Sequence, residues 1–143
     1  DRKDPSFVSG GVSTGDGLIF LGTTKGEIVA LNVTDGTESW RTQVGTEIGA
    51  SPAVGDDEVF VHTIDDRLSA LDVNDGRVIW TADNQMPLLT LRGTASPTYA
   101  QGVVFSGTAG GKIAALRGEN GEPIWEQRLV LQFVVGLHLQ SKF

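Results

Sequence analysis

Apolar residues along this chain come in short runs that alternate with polar ones, and each run stops at a turn bearing glycine or aspartate. The pattern is clearest between residues 51 and 81. Ser51-Pro52-Ala53-Val54 predicts a short inner strand. Residues 58–63 alternate and are rich in Val and Phe, which predicts a second strand. Asp65-Asp66 predicts a turn, and residues 67–73 a third strand that offers Leu68, Ala70 and Leu71 to a core. Asn74-Asp75-Gly76 predicts a tight turn in which glycine supplies the positive φ. Residues 77–81 then form an outer strand carrying Trp80. Nowhere do apolar residues recur at helical spacing, and no capping residue precedes an apolar run.

The same pattern occurs three times. Trp40, Trp80 and Trp125 lie 40 and 45 residues apart. Just before each comes a turn dipeptide: Asp35-Gly36, Asp75-Gly76 and Asn120-Gly121. Further back stand Ala30-Leu31, Ala70-Leu71 and Ala115-Leu116, and then Phe20, Phe60 and Phe105. Pro52 and Pro97 share one offset, where the first unit has Val12. A period of about 40–45 residues is that of a propeller blade of four strands. The expected fold is therefore all-β, a β-propeller of four-stranded antiparallel blades. Residues 1–129 carry three tandem blades, at about 10–44, 50–84 and 95–129, followed by an aberrant tail at 130–143. One blade cannot bury both its faces alone, so neighbours must stack, with the tryptophan filling the gap between them. Trp40, Trp80 and Trp125, with Gly36, Gly76 and Gly121, are thus the structural residues of the repeat.

Composition narrows the function. The 143 residues hold 39% apolar and 20% charged side chains, with 19 Gly against 5 Pro, as many tight turns require. The net charge of −7 disfavours nucleic acid and anionic lipid as partners. The absence of cysteine excludes thiolate zinc sites, disulfides and thiol catalysis. No apolar stretch reaches the roughly 18 residues of a membrane helix. The opening Asp1-Arg2-Lys3-Asp4-Pro5 is not a signal peptide, so any export signal is expected outside this sequence.

The run from Ala70 through Asp75-Gly76 to Trp80 resembles the tryptophan-docking repeat of the quinoprotein-like (PQQ-like) propellers. The first unit matches with Asn32 in place of the aspartate, and the third, less closely, with Arg117 there and Asn120-Gly121 as its turn. Within that group, Met86-Pro87-Leu88-Leu89-Thr90-Leu91-Arg92-Gly93 and the following Thr94-Ala95-Ser96-Pro97 are similar to a segment of one particular set. These are the propeller lipoproteins of the machinery that inserts β-barrel proteins into the bacterial outer membrane. The resemblance implies an eight-bladed ring of which three blades are present, and a non-catalytic scaffold with no cofactor. It further implies a place at the periplasmic face of the outer membrane, through a lipid anchor absent from this sequence. The implied partner is the periplasmic part of the barrel subunit, BamA, contacted by the residues matching Leu89, Leu91 and Arg92. Residues 130–143 do not continue the pattern and are expected to be a non-native end.

The candidate partner site is the link between the second and third units. Trp40 to Ala50 spans 10 positions, whereas Trp80 to Ala95 spans 15. The additional residues bring Leu88, Leu89 and Leu91 beside Arg92. Inserted loops are normally polar, and exposed apolar residues next to arginine are typical of interface anchors. From the residues alone, these leucines could equally fold down onto the blade edge; the resemblance favours the interface. Other motifs carry less. Residues 72–76 look like a calcium loop but place Gly76 where a ligand is needed, so a turn is expected. Residues 107–112 look like a phosphate loop but lack the hydroxyl residue after lysine and a following helix, so a hairpin turn is expected. Asp56-Asp57-Glu58 reads as a solvated turn, and His62 as a strand residue facing a blade surface. His62 and His138 have no metal-pair spacing.

Two other readings remain at this stage. A fragment of a PQQ-dependent quinoprotein dehydrogenase would use the same repeat, but such enzymes hold PQQ and calcium through a ligand set not seen here. A generic PQQ-like repeat binding protein differs only in lacking the 86–93 link. Three blades in an open arc also leave two apolar faces uncovered, so self-association of this chain is expected.

Overall fold

A computed structural model describes residues 8–83, 96–107 and 112–128. Among them the regular structure is all strand. The first sheet is β1 (Val8–Gly15), β2 (Leu18–Thr23), β3 (Glu27–Asn32) and β4 (Glu38–Gln43). The second is β5 (Ala53–Val54), β6 (Glu58–His62), β7 (Arg67–Asp72) and β8 (Val78–Asp83). The third is β9 (Thr98–Ala100), β10 (Val103–Gly107), β11 (Lys112–Arg117) and β12 (Pro123–Arg128). Each sheet is an antiparallel meander in which chain neighbours pair.

The repeat extends to fine detail. The register between the third and fourth strands shifts at Ala30/Leu31, Ala70/Leu71 and Ala115/Leu116, so the bulge recurs at equivalent residues. The turn that follows closes each time by a hydrogen bond four residues back. Gly36, Gly76 and Gly121 donate to Asn32, Asp72 and Arg117 carbonyls at 2.8, 2.9 and 2.8 Å. The preceding Asp35, Asp75 and Asn120 side chains accept from the backbone two residues on, each at 3.0 Å. Glycine is needed because φ there is +76°, +79° and +78°.

Proline decides where the innermost strands begin. β5 and β9 start directly after Pro52 and Pro97, which supply no backbone donor. The first unit has Val12 at that offset, and its inner strand is eight residues long, with an irregularity between Val8 and Val12. β8 runs two residues beyond the stretch expected from the sequence, to Asp83, which pairs across the sheet with Arg67 at 2.9 Å.

The core lies between the sheets. Phe20, Ile28, Trp40, Ile48, Val59, Val61, Leu71 and Val73 form one cluster where the first and second sheets meet. Phe60, Leu68, Ala70, Val104 and Leu116 form another where the second meets the third, with Trp80 and Tyr99 packed on it. Phe20 and Phe60 are fully buried, and Phe105 is half-buried.

Candidate partner-docking surface

The blade interfaces set the frame for any surface. Trp40 crosses to the second blade and donates from Nε1 to the Val73 carbonyl at 3.1 Å. Trp80 repeats the contact on the third blade, donating to Gly118 at 2.8 Å. Val73 and Gly118 hold the same place in their units, seven residues before the tryptophan. Each indole lies on the next blade's turn glycine. A Cβ added at Gly76 would overlap the Trp40 ring, and one at Gly121 would stand 2.6 Å from Trp80 Cε3. Each indole also keeps the phenylalanine of its own blade beside it. The three pairs have centroid separations of 5.9, 6.0 and 6.2 Å and interplanar angles of 44°, 43° and 45°. Exposure then rises along the chain, from 8% at Trp40 through a half-buried Trp80 to 45% at Trp125. At the other end, a Cβ on Gly36 would meet nothing within 4 Å.

Leu88, Leu89, Leu91 and Arg92 lie outside the described residues, as do residues 108–111 of the glycine-rich stretch expected to turn and the tail from residue 129 with His138. The described chain reaches their link from both sides, at Asp83 on β8 and at Ser96-Pro97 before β9. Near its start is a cavity of about 80 Å³, lined by His62, Asp66, Asp83, Ser106, Lys112 and Glu126 among others. His62 is 1% exposed, and its Nε2 meets Asp66 Oδ1 at 2.8 Å. Asp66 is itself buried and has a left-handed φ of +69°. The sequence reading placed His62 on a blade surface and Asp66 in a turn, but did not join them. A signal was present in the sequence: at the same offsets the first unit has Gly22 and Gly26, and the third Gly107 and Gly111.

The acidic turn lies elsewhere. Asp56 and Asp57 are exposed between β5 and β6, beside an open cavity of about 370 Å³ that Glu58, Tyr99, Arg117 and Glu119 also line. Burial, reinforced by Asp57, Asp56 and Glu119, raises the Glu58 carboxyl above its usual range. Its charge therefore opposes folding once pH is above that raised value, and the penalty disappears below the unfolded value. The calcium-like stretch is a turn whose oxygens are already engaged. Asp72 Oδ1 accepts from Asn74 N at 2.8 Å, and Asp75 Oδ1 accepts from Arg77 N. Among the described residues no cluster of three or more His, Cys, Asp or Glu is placed to hold a metal ion.

Three four-stranded meanders, joined by equivalent tryptophan-to-turn contacts, define a β-propeller built of PQQ-like repeats. Comparison with known proteins narrows this. The family model described as outer membrane protein assembly factor BamB matches residues 2–134. The chain belongs to that family. It is 50% identical over 127 residues to the BamB of Escherichia coli K12, covering 89% of this chain and 32% of that protein. It is 51% identical over 129 residues to the BamB of Xanthomonas campestris pv. campestris, covering 90% and 32%. The chain thus spans about a third of the length of these relatives. The crystal structure of BamB from Moraxella catarrhalis superposes with a TM-score of 0.80 at 31% identity, over 85% of this chain and 38% of that one. A europium-containing methanol dehydrogenase superposes with a TM-score of 0.68 at 17% identity, over 85% and 26%, a likeness of fold alone.

Proposed function

We propose that this chain is part of a non-catalytic scaffold that serves outer-membrane protein assembly at the periplasmic face of the bacterial outer membrane. In this reading it docks on the periplasmic domains of BamA through Leu88, Leu89, Leu91 and Arg92. A lipid anchor on a part of the protein outside this sequence holds it at the membrane. The observation that carries the reading is the family match over residues 2–134. The content of the 84–95 link supports the docking point, since its length exceeds that of residues 44–50 and the excess is apolar with an adjacent arginine.

The test is affinity for the isolated periplasmic domains of BamA, measured by calorimetry. Leu89→Ala with Leu91→Ala is expected to weaken binding by about thirtyfold or more, the effect of losing an anchor worth about 2 kcal/mol. Arg92→Glu weakens it further where a carboxylate lies opposite. Changing Asp56, Asp57 and Glu58 to Ser alters a different turn and leaves the affinity intact. Unchanged binding in the double leucine variant, with unchanged stability, would remove these leucines as the anchor.

A further inference from the structure

We propose that the joint between the second and third blades is a pH-sensitive seam that acid tightens, because it brings Glu58 and Glu119 to one hollow where the joint before it has Leu18 and Asn74. The proposal is independent of the docking reading above.

The repeat makes the two joints directly comparable. The second strand of each sheet opens with Leu18, Glu58 or Val103, at the same spacing as the tryptophans. Leu18 packs on the core cluster shared by the first and second sheets. Glu58 keeps the same register, opposite Asp72 as Leu18 is opposite Asn32. The second blade thus carries a carboxyl group where the first has an aliphatic chain. Glu119 belongs to the turn after β11, and its counterpart after β7 is Asn74. At these two places the first joint has an aliphatic chain and an amide, and the second has two carboxyl groups.

The charges around Glu58 do not cancel. Asp56 and Asp57 precede it in its own turn and line the same hollow. Asp72, across the sheet, is engaged with Asn74 N and, at 3.4 Å, with Arg77. From the third blade, Tyr99, Arg117 and Glu119 line the hollow. Arg117 is the cation there among the described residues, and it pairs with Glu122 of its own blade at 4.0 Å. Burial, and then Asp56, hold the Tyr99 phenol above its usual range, so it stays neutral and donates to Asp56 Oδ2 at 3.4 Å. The Glu58 carboxyl is raised by burial first and then by Asp57, Asp56 and Glu119. Its charge therefore works against the joint once pH exceeds that raised value, and the cost is gone below the ordinary carboxylate range. The cost falls on the joint because Glu119 directly follows Gly118, whose carbonyl accepts from Trp80 Nε1 at 2.8 Å.

Two indole N–H groups report the two joints in one molecule. Trp40 bonds to Val73 across the first, and Trp80 to Gly118 across the second. Their hydrogen exchange is followed by NMR in the purified protein from about pH 7 to about pH 4, a range that spans glutamate titration. Trp40 serves as the internal reference, so the intrinsic pH dependence of exchange cancels in the ratio. Protection of Trp80 relative to Trp40 is expected to rise about threefold or more on acidification. Glu58→Gln keeps the size and removes the charge, and is expected to abolish most of that rise. It also separates Glu58 from the His62–Asp66 pair at the other end of β6. A flat ratio, with both indoles changing in parallel, overturns the proposal, and so does a rise that survives Glu58→Gln undiminished. Glu119→Gln, at an exposed turn position, serves if Glu58→Gln does not fold. It is expected to reduce the rise, and an unchanged rise overturns the proposal.

Discussion

Trp40→Ala is expected to destabilise this 143-residue chain by about 3–5 kcal/mol, the cost of truncating a large aromatic in a packed core. Trp125→Ala should cost only about 1 kcal/mol, as for a side chain that is nearly half open to solvent. Trp80→Ala falls between them. The three residues occupy the same place in their own blades, against the same phenylalanine, at separations within 0.3 Å of one another. What differs is the next blade. Trp40 has both the Val73 carbonyl and the Gly76 turn, whereas Trp125 is 45% exposed. Denaturant unfolding of the three variants measures the series. Equal losses at all three would show that tryptophan stabilises its own blade and not the joint. Adding a following blade should bring Trp125 up to the Trp40 value.

Gly76→Ala is expected to be about 3–4 kcal/mol destabilising, and Gly36→Ala only about 1–2 kcal/mol. The backbone cost is shared, because φ is +79° at one and +76° at the other. The packing cost is not. A methyl group at Gly76 would meet Trp40 Cδ2 at 2.6 Å and Thr42 Oγ1 at 2.7 Å, whereas one at Gly36 would meet nothing within 4 Å. Thr42 Oγ1 also donates to the Gly76 carbonyl at 2.7 Å, so a displaced turn loses that bond as well. The difference between the two variants therefore isolates the cost of blocking one docking site. Thermal or denaturant unfolding of both variants reads it directly. A difference near zero would mean that the blades do not rely on the close approach of ring to turn.

The fold was legible because its signals are local and repeat. Trp, Asp-Gly, Ala-Leu and Phe recur at fixed offsets since each unit must make the same turn and offer the same ring. Offsets say nothing about neighbours, however, and so the fall in burial from Trp40 to Trp125 needed the stacked sheets. The extension of β8 to Asp83 also depends on a partner, Arg67, 16 residues away. The His62–Asp66 pair was missed for a different reason. Each residue has an ordinary local explanation, one in a strand and one in a turn. Only alignment of the three units shows that both stand where the others have glycine, and only the packing of residues 44–50 shows what those glycines permit. Leu88, Leu89, Leu91 and Arg92, proposed above as the docking point, stand out in the sequence by their chemistry and by the length of their link.

The propeller frame explains why a link between blades suits a scaffold. The blades bury their faces against one another through tryptophan, phenylalanine and aliphatic side chains, leaving links and turns as the variable surface. A link that is seated, as residues 44–50 are, spends its apolar side chain on the core, as Ile48 does. The most direct measurement is hydrogen exchange of the protein with and without the periplasmic domains of BamA. Binding is expected to protect residues 84–95, with the acidic turn at residues 56–58 unchanged. Protection confined to other segments, with residues 84–95 exchanging as in the free protein, would contradict the account.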